Sequence, residues 1–237
     1  IASSNPSPEF PGNEYAGFYR PGCEPCGDSP AVRPLPSAVS RIPMSPHPLL
    51  SQRLSVPSRQ LGPPAPTRDA LHRMLEAALR VPDHGGIAPW RVLAIEGELR
   101  LALGEFLARR ALELNPQAPQ TAIDKDRLRF AHAPLVLTVV ARLQQPSRIP
   151  EIEQILSAGC VCFALLQAAQ ELGFGAQWLT GWAAYDAKVM AHLGLGGNER
   201  IVGFIHVGTV REPARERPRP DPDAHFSVWT GECHASI

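Results

Sequence analysis

Arg80-Val-Pro-Asp-His-Gly-Gly-Ile-Ala-Pro-Trp90 is the stretch at which the chain changes its hydrophobic period. Before it, Leu71, Met74, Leu75, Ala78 and Leu79 recur every three or four residues, which predicts one face of an amphipathic helix. Thr67 suits its N-cap, Asp69 its first turn, and Pro82 ends it. After it, Val92 to Ile95 reads as a strand. The loop between carries two glycines and two prolines, flanked by Arg80, His84 and Trp90. Paired glycines let backbone amides come close to a planar ligand. A guanidinium at Arg80 suits a phosphate or a ring carbonyl. From these residues alone, a binding loop and a simple helix cap with a surface histidine stand level.

The elements on either side extend the pattern. Leu49 to Arg53 is a short candidate helix, and the Pro-rich stretch 62–66 breaks the chain after it. Leu99 to Leu114 is a second amphipathic helix, closed by prolines at 116–119. Leu135 to Ala141, apolar and β-branched, predicts a buried strand. Ser157 to Leu172 is apolar almost all round and predicts a buried central helix, ended by Gly173 and Gly175. Ala176 to Leu179 and Ile201 to Val207 read as strands, and Asp186 to Leu193 as a helix. The run Gly194-Leu-Gly-Gly-Asn-Glu follows a helix and precedes a strand, the reverse of a phosphate-loop context, so it reads as a C-cap and turn. Arg211 to Pro222, rich in Arg and Pro without an apolar stripe, predicts an extended arm. This loose alternation supports a three-layer α/β or an α+β domain.

Composition narrows the classes. Equal numbers of basic and acidic residues, 23 each, give no global attraction to nucleic acid or an anionic membrane. No run of about 18 wholly apolar residues predicts a membrane span. The first 43 residues hold nine of the 26 prolines and lack apolar periodicity, so they read as a disordered extension. The chain opens on Ile1, and Met44 precedes the first patterned segment. The expectation is a domain over 44–237, with 1–43 either translated upstream sequence or the product of a mis-called start. Five cysteines form no framework, and a reducing cytoplasm is the default. Cys23 and Cys26 lack a second pair for zinc and a strand–helix context for redox work, so they read as incidental. Cys160 and Cys162 point in different directions on one helix and read as core fillers.

The quoted loop resembles that of the nitroreductase superfamily of flavoproteins, and closely that of its small bacterial NAD(P)H nitroreductase subgroup. Further stretches agree in order and spacing: Leu49 to Ser55, the helix start Ser157 to Cys160, Leu172 to Gly181, and Ile201 to Thr209. The strand Ala-Pro-Leu-Val-Leu-Thr-Val-Val-Ala at 133–141 also fits. The resemblance spans roughly Pro48 to Thr209.

The resemblance implies an α+β fold around a mainly antiparallel sheet flanked by helices, and a homodimer with FMN at its interface. It implies FMN contacts at Arg53, Leu54, Ser55, Arg80 and His84, with some contacts coming from the other subunit. It places Trp178, Leu179 and Thr180 beside the isoalloxazine, with the Gly181 amide as a donor to flavin N5. It assigns Ala168, Ala169, Gln170, Glu171, Leu172 and Gly173 to NAD(P)H, a stretch whose apolar residues fit a core equally. The implied activity is NAD(P)H-dependent reduction of nitroaromatics, quinones or similar small electron-poor acceptors by alternating hydride transfers, with no protein acid or nucleophile. No catalytic side chain, metal, nucleic-acid or membrane partner is expected.

Three departures bear on cofactor binding. Gly86, Ile87 and Ala88 stand where many relatives carry an Asn or Gln, Leu54 stands where the subgroup has a second arginine, and two extra residues follow Ser55. A protein that keeps the fold and binds flavin or another ligand without turnover is therefore the alternative reading.

Overall fold

The computed structural model describes residues 48–229; the extension 1–43, with Cys23 and Cys26, and Met44 lie outside them. β3 (Leu135–Arg142) is flanked on both sides by antiparallel strands, β2 (Trp90–Glu96) and β5 (Glu199–Val210). The far edge of β5 takes β4 (Gly175–Leu179) and then the two-residue β1 (Leu61–Gly62), both antiparallel. Every pairing is antiparallel, so the sheet is the one the resemblance implied. β3 is central because both its faces are covered: all of Leu135–Ala141 is buried, as a continuous apolar strand must be.

One face of the sheet packs Leu137, Val139, Ala141, Ile205 and Val207 against α2 (Arg68–Ala78) and α5 (Glu151–Glu171). The other packs Ile95, Val136 and Phe204 against α3 (Glu98–Leu114), Phe130 and α6 (Ala187–His192). α1 is the single turn Pro48–Ser51. The N-cap of α2 is Thr67, whose Oγ1 accepts from the Ala70 N–H at 3.2 Å. Gly173 and Gly194 sit at positive φ. Each closes its helix by a reverse bond, Phe174 N–H to the Ala169 carbonyl and Leu195 N–H to that of Met190.

Four expectations change. α2 ends at Ala78, before Pro82 is reached. α4 (Gln120–Arg127) forms just past the proline break and packs on α3, where Gly104 brings the backbones so close that a Cβ would lie 2.0 Å from the Arg127 carbonyl oxygen. α5 begins at Glu151, with Pro150 at its N-cap and Glu151 and Glu153 in its first turn; the polar start hid that turn from a hydrophobic count. α5 is also long and apolar enough to cross a membrane by length and composition, but half of the relevant window is buried against the sheet.

The last change concerns the outer face of α5. Ile152, Leu156 and Phe163 are exposed, Leu156 by 61 %, and Cys160 is exposed beside them. Cys162 is buried, and burial pushes its thiol up to about 12. Cys160 is thus not a core filler. At spacings of three and four, these residues and Gln167 line one stripe. An all-apolar helix with one face on a sheet leaves the other for a neighbour.

On β5, His206 is fully buried, stacked on Phe130 with ring centroids 5.5 Å apart. Neither ring nitrogen has a partner among the described residues. Burial, reinforced by Arg129, His132 and Arg100, brings it down to about 4. Residues 219–229 form part of a separate unit whose described portion contains one short turn, Pro222–Ala224.

Candidate functional site

α5 organises the expected site residues by holding one group at each end. At its C-terminal end, the Gln170 side chain clamps the segment before β1. Its Oε1 accepts from Leu54 N–H and its Nε2 donates to the Gln52 carbonyl, both at 3.2 Å. The segment then runs beside β4, with Val56 N–H on the Ala176 carbonyl at 3.0 Å and Ser58 N–H on Gln177 Oε1 at 2.6 Å. So held, Arg53 Nη1 donates to Ser55 Oγ at 2.9 Å, and the hydroxyl is exposed. A guanidinium and a hydroxyl side by side make a donor pair for an anionic oxygen.

β4 carries the next group. Trp178 pairs with Ile205, and its indole reaches back over Gly203, where a Cβ would lie 2.0 Å from Nε1. The β3–β5 register slips between Val139 and Val140, leaving Val202 as the extra residue. A bulged residue loses its ladder partner, and the Val202 carbonyl instead accepts from Trp178 Nε1 at 3.2 Å. Trp178 as a whole residue is 37 % exposed. Leu179 and Thr180 are half-buried beyond it, and Gly181 turns the chain at φ 72°.

The N-terminal end of α5 holds the loop 82–90. Ser157 Oγ donates to the Pro82 carbonyl at 2.7 Å and accepts from Trp90 Nε1 at 3.1 Å. Asp83 Oδ2 accepts from Ala88 N–H at 2.7 Å, and His84 Nδ1 lies 2.5 Å from Glu153 Oε2. Gly85, Gly86 and Ala88 all have positive φ, at 74°, 61° and 46°. For Ala88, an alanine, this conformation is strained, which strain-bearing binding loops show. Arg80 and His84 are exposed.

One chain therefore ties the Arg53–Ser55 segment to Gln170 and, through Val56 and Ser58, to the start of the strand that carries Trp178, while the Arg80–His84 loop is held at the other end of α5. Glu153 and Gln170 are 17 residues apart on one helix, or about 25 Å at the helical rise. Ala168 and Ala169 are core residues and offer no side chain to a dinucleotide. Of that stretch, Gln170 acts as the clamp, while Glu171 and Gly173 are exposed. Glu153, Ser157 and Gln170 as loop-holders escaped the sequence reading, because nothing local pairs them with residues 69 to 118 positions away. Among the described residues no cluster of metal ligands occurs.

The family model for the nitroreductase family matches residues 50–209, from the clamped segment through β5. The chain belongs to the nitroreductase family. It is 37 % identical over 164 residues to the Escherichia coli (strain K12) protein named "Putative NAD(P)H nitroreductase YdjA", covering 69 % of this chain and 88 % of that one. The solved structure of a nitroreductase-like family protein from Bacillus cereus superposes with a TM-score of 0.65 at 22 % identity, over 78 % of this chain and 95 % of that one. A nitroreductase with bound FMN from Bacteroides fragilis gives 0.59 at 19 % identity, over 76 % and 96 %.

Proposed function

We propose that this chain is an FMN-dependent NAD(P)H oxidoreductase whose site is completed by a second copy of itself. The observation that carries this is the clamped Arg53–Ser55 donor pair, its hydroxyl exposed, on a segment that runs beside the strand bearing the open Trp178 plate. The donor set fits FMN: a cationic fork and hydroxyl suit its phosphate, and a flat exposed aromatic suits its ring system. Relatives named for FMN and NAD(P)H support the same cofactors.

The chemistry a bound FMN supplies is two-electron exchange between NAD(P)H and an electron-poor acceptor such as a nitroaromatic or quinone. The protein's part is to bind and orient. Arg53 and Ser55 hold the phosphate end, and Gln170 keeps them in register. Trp178, fixed by Gly203 and Val202, supplies the wall beside the ring, and the Gly181 N–H supplies a donor toward it. Arg80 contributes positive charge that favours an electron-rich ring. No side chain here needs to gain or lose a proton.

The exposed stripe of α5 supports a homodimer. That stripe is centred on Gly159–Phe163, close to the midpoint between Glu153 and Gln170. A second α5 crossing antiparallel there buries the stripe and sets the Arg80–His84 loop of one copy beside the Arg53–Ser55 segment of the other. A two-fold axis makes such a contact self-complementary. Complementation tests it. R53Q and H84A/R80Q variants, each impaired alone, regain activity when refolded together, with about a quarter of the sites wild-type. Mixtures that stay at the level of the separate variants would falsify the shared site. The binder-without-turnover alternative draws on the thinned loop at Gly86–Ala88; a bound flavin that anaerobic NAD(P)H never bleaches would favour it.

A further inference from the structure

The turn Thr180–Trp182 follows β4 and rests on an ion pair at the end of α4. Asp126 belongs to the last turn of that helix, and Arg129 stands just beyond it. Their side chains keep only 12 % and 18 % exposure. Arg129 Nη2 donates to Asp126 Oδ1 at 2.6 Å. The same carboxylate accepts from Trp182 Nε1, at 3.2 Å and 3.1 Å from its two oxygens. Ala183 and Ala184, which follow, are buried in the core beside Phe130. Gly181, at φ 72°, lies directly against the guanidinium. A Cβ there would sit 2.9 Å from Arg129 Nη1, and its three nearest atoms would all belong to Arg129. The pair is therefore oriented: its carboxylate meets the Trp182 indole, and its positive end meets Gly181. The carboxylate does not satisfy the cation, because the buried Arg129 Nε has no partner among the described residues.

We propose that Arg129 is a fixed cation behind the flavin-facing turn, aimed by Asp126 as a positioning residue, and that it favours reduced over oxidised FMN. The inference rests on the flavin reading above, in which Gly181 lies beside the ring system. A charge shielded this far from water acts at an effective dielectric constant well below that of water. The field of Arg129 already reaches one neighbour: after burial itself, it is the next cause that makes His206 harder to protonate. Two-electron reduction makes the flavin ring more electron-rich, so a nearby fixed cation stabilises that form without any reorganisation of its own. Asp126 opposes this from farther off, which fixes the sign expected for each partner. A pair that only held the fold together would behave otherwise. Either single substitution breaks the same bond, so both would then move the flavin in the same direction.

The test uses the full chain as wild type, R129Q, R129K, D126N and D126N/R129Q, each loaded with FMN, with urea melts to check folding. The two-electron potential of bound FMN, read against reference dyes, gives the ratio of affinities for reduced and oxidised FMN. R129Q should lower that ratio by about tenfold, or about 30 mV for a two-electron couple. R129K, which keeps the charge, should recover most of the loss. D126N, which keeps an oxygen for Trp182 Nε1, should raise the ratio. D126N/R129Q leaves neither partner's charge uncompensated and decides the matter where a single variant does not fold; it should lower the ratio by less than R129Q. Shifts of one sign in R129Q and D126N, or a double variant at the wild-type potential, overturn the inference and leave the flavin reading intact. A wild type that binds no FMN sinks the flavin reading, and this inference with it.

Discussion

Replacing Gln170 by Met keeps the length of the side chain and removes both bonds that hold the backbone of Gln52 and Leu54. Each bond is at the longer end of the normal range and only partly shielded, so about 0.5–1.5 kcal/mol apiece is the fair figure, or about 1–3 kcal/mol together. That energy orders the Arg53–Ser55 segment, which then has to be ordered at the expense of binding. FMN affinity in Q170M should drop by about 5- to 150-fold. Riboflavin, which lacks the phosphate, should bind almost as before. Q170E retains an acceptor for Leu54 N–H but loses the donor to the Gln52 carbonyl, and should fall between. The assay is quenching of flavin fluorescence on titration with apoprotein, with urea melts run alongside. Equal FMN affinity in Q170M and wild type, while R53Q binds weakly, would refute the clamp. Equal losses for FMN and riboflavin would show that Gln170 supports the fold at large and not the phosphate end.

Two further perturbations test the framework. His206 stays neutral inside the fold at about 4 and returns to about 6.5 when unfolded. The unfolded chain thus binds the extra proton between those values, and stability is lost as pH falls from about 6.5 toward 4. At pH 5 the loss is about 2 kcal/mol. H206F, able to stack on Phe130, should flatten that part of a urea-melt pH profile, and an unchanged slope would rule His206 out as its source. G203A puts a methyl where the Trp178 indole lies. The indole should swing out, shifting its emission to the red relative to a W178F background and weakening FMN binding; an unshifted spectrum would show that the plate does not depend on Gly203.

The strands and helices that carry strong periodicity were legible in the sequence because burial imposes a pattern on neighbouring residues. Leu135–Ala141 could only be a strand covered on both faces, and Gly173 and Gly194 could be read as helix ends from their place after apolar runs. Arg53, Ser55, Trp178 and the glycine loop were legible as a family pattern, with roles attached by resemblance. Three things were not legible. The Val202 bulge that fixes Trp178 is a slip between two strands, and neither strand's sequence states it. The roles of Gln170, Ser157 and Glu153 depend on which distant backbone each side chain meets. Arg59, Arg215 and Arg217 line one cavity from two segments about 150 residues apart in the chain, each polar and patternless by itself. Periodicity records what a residue's neighbours along the chain do; hydrogen bonds and charge clusters across the fold record where the packed layers happen to bring remote residues, and only the tertiary structure decides that.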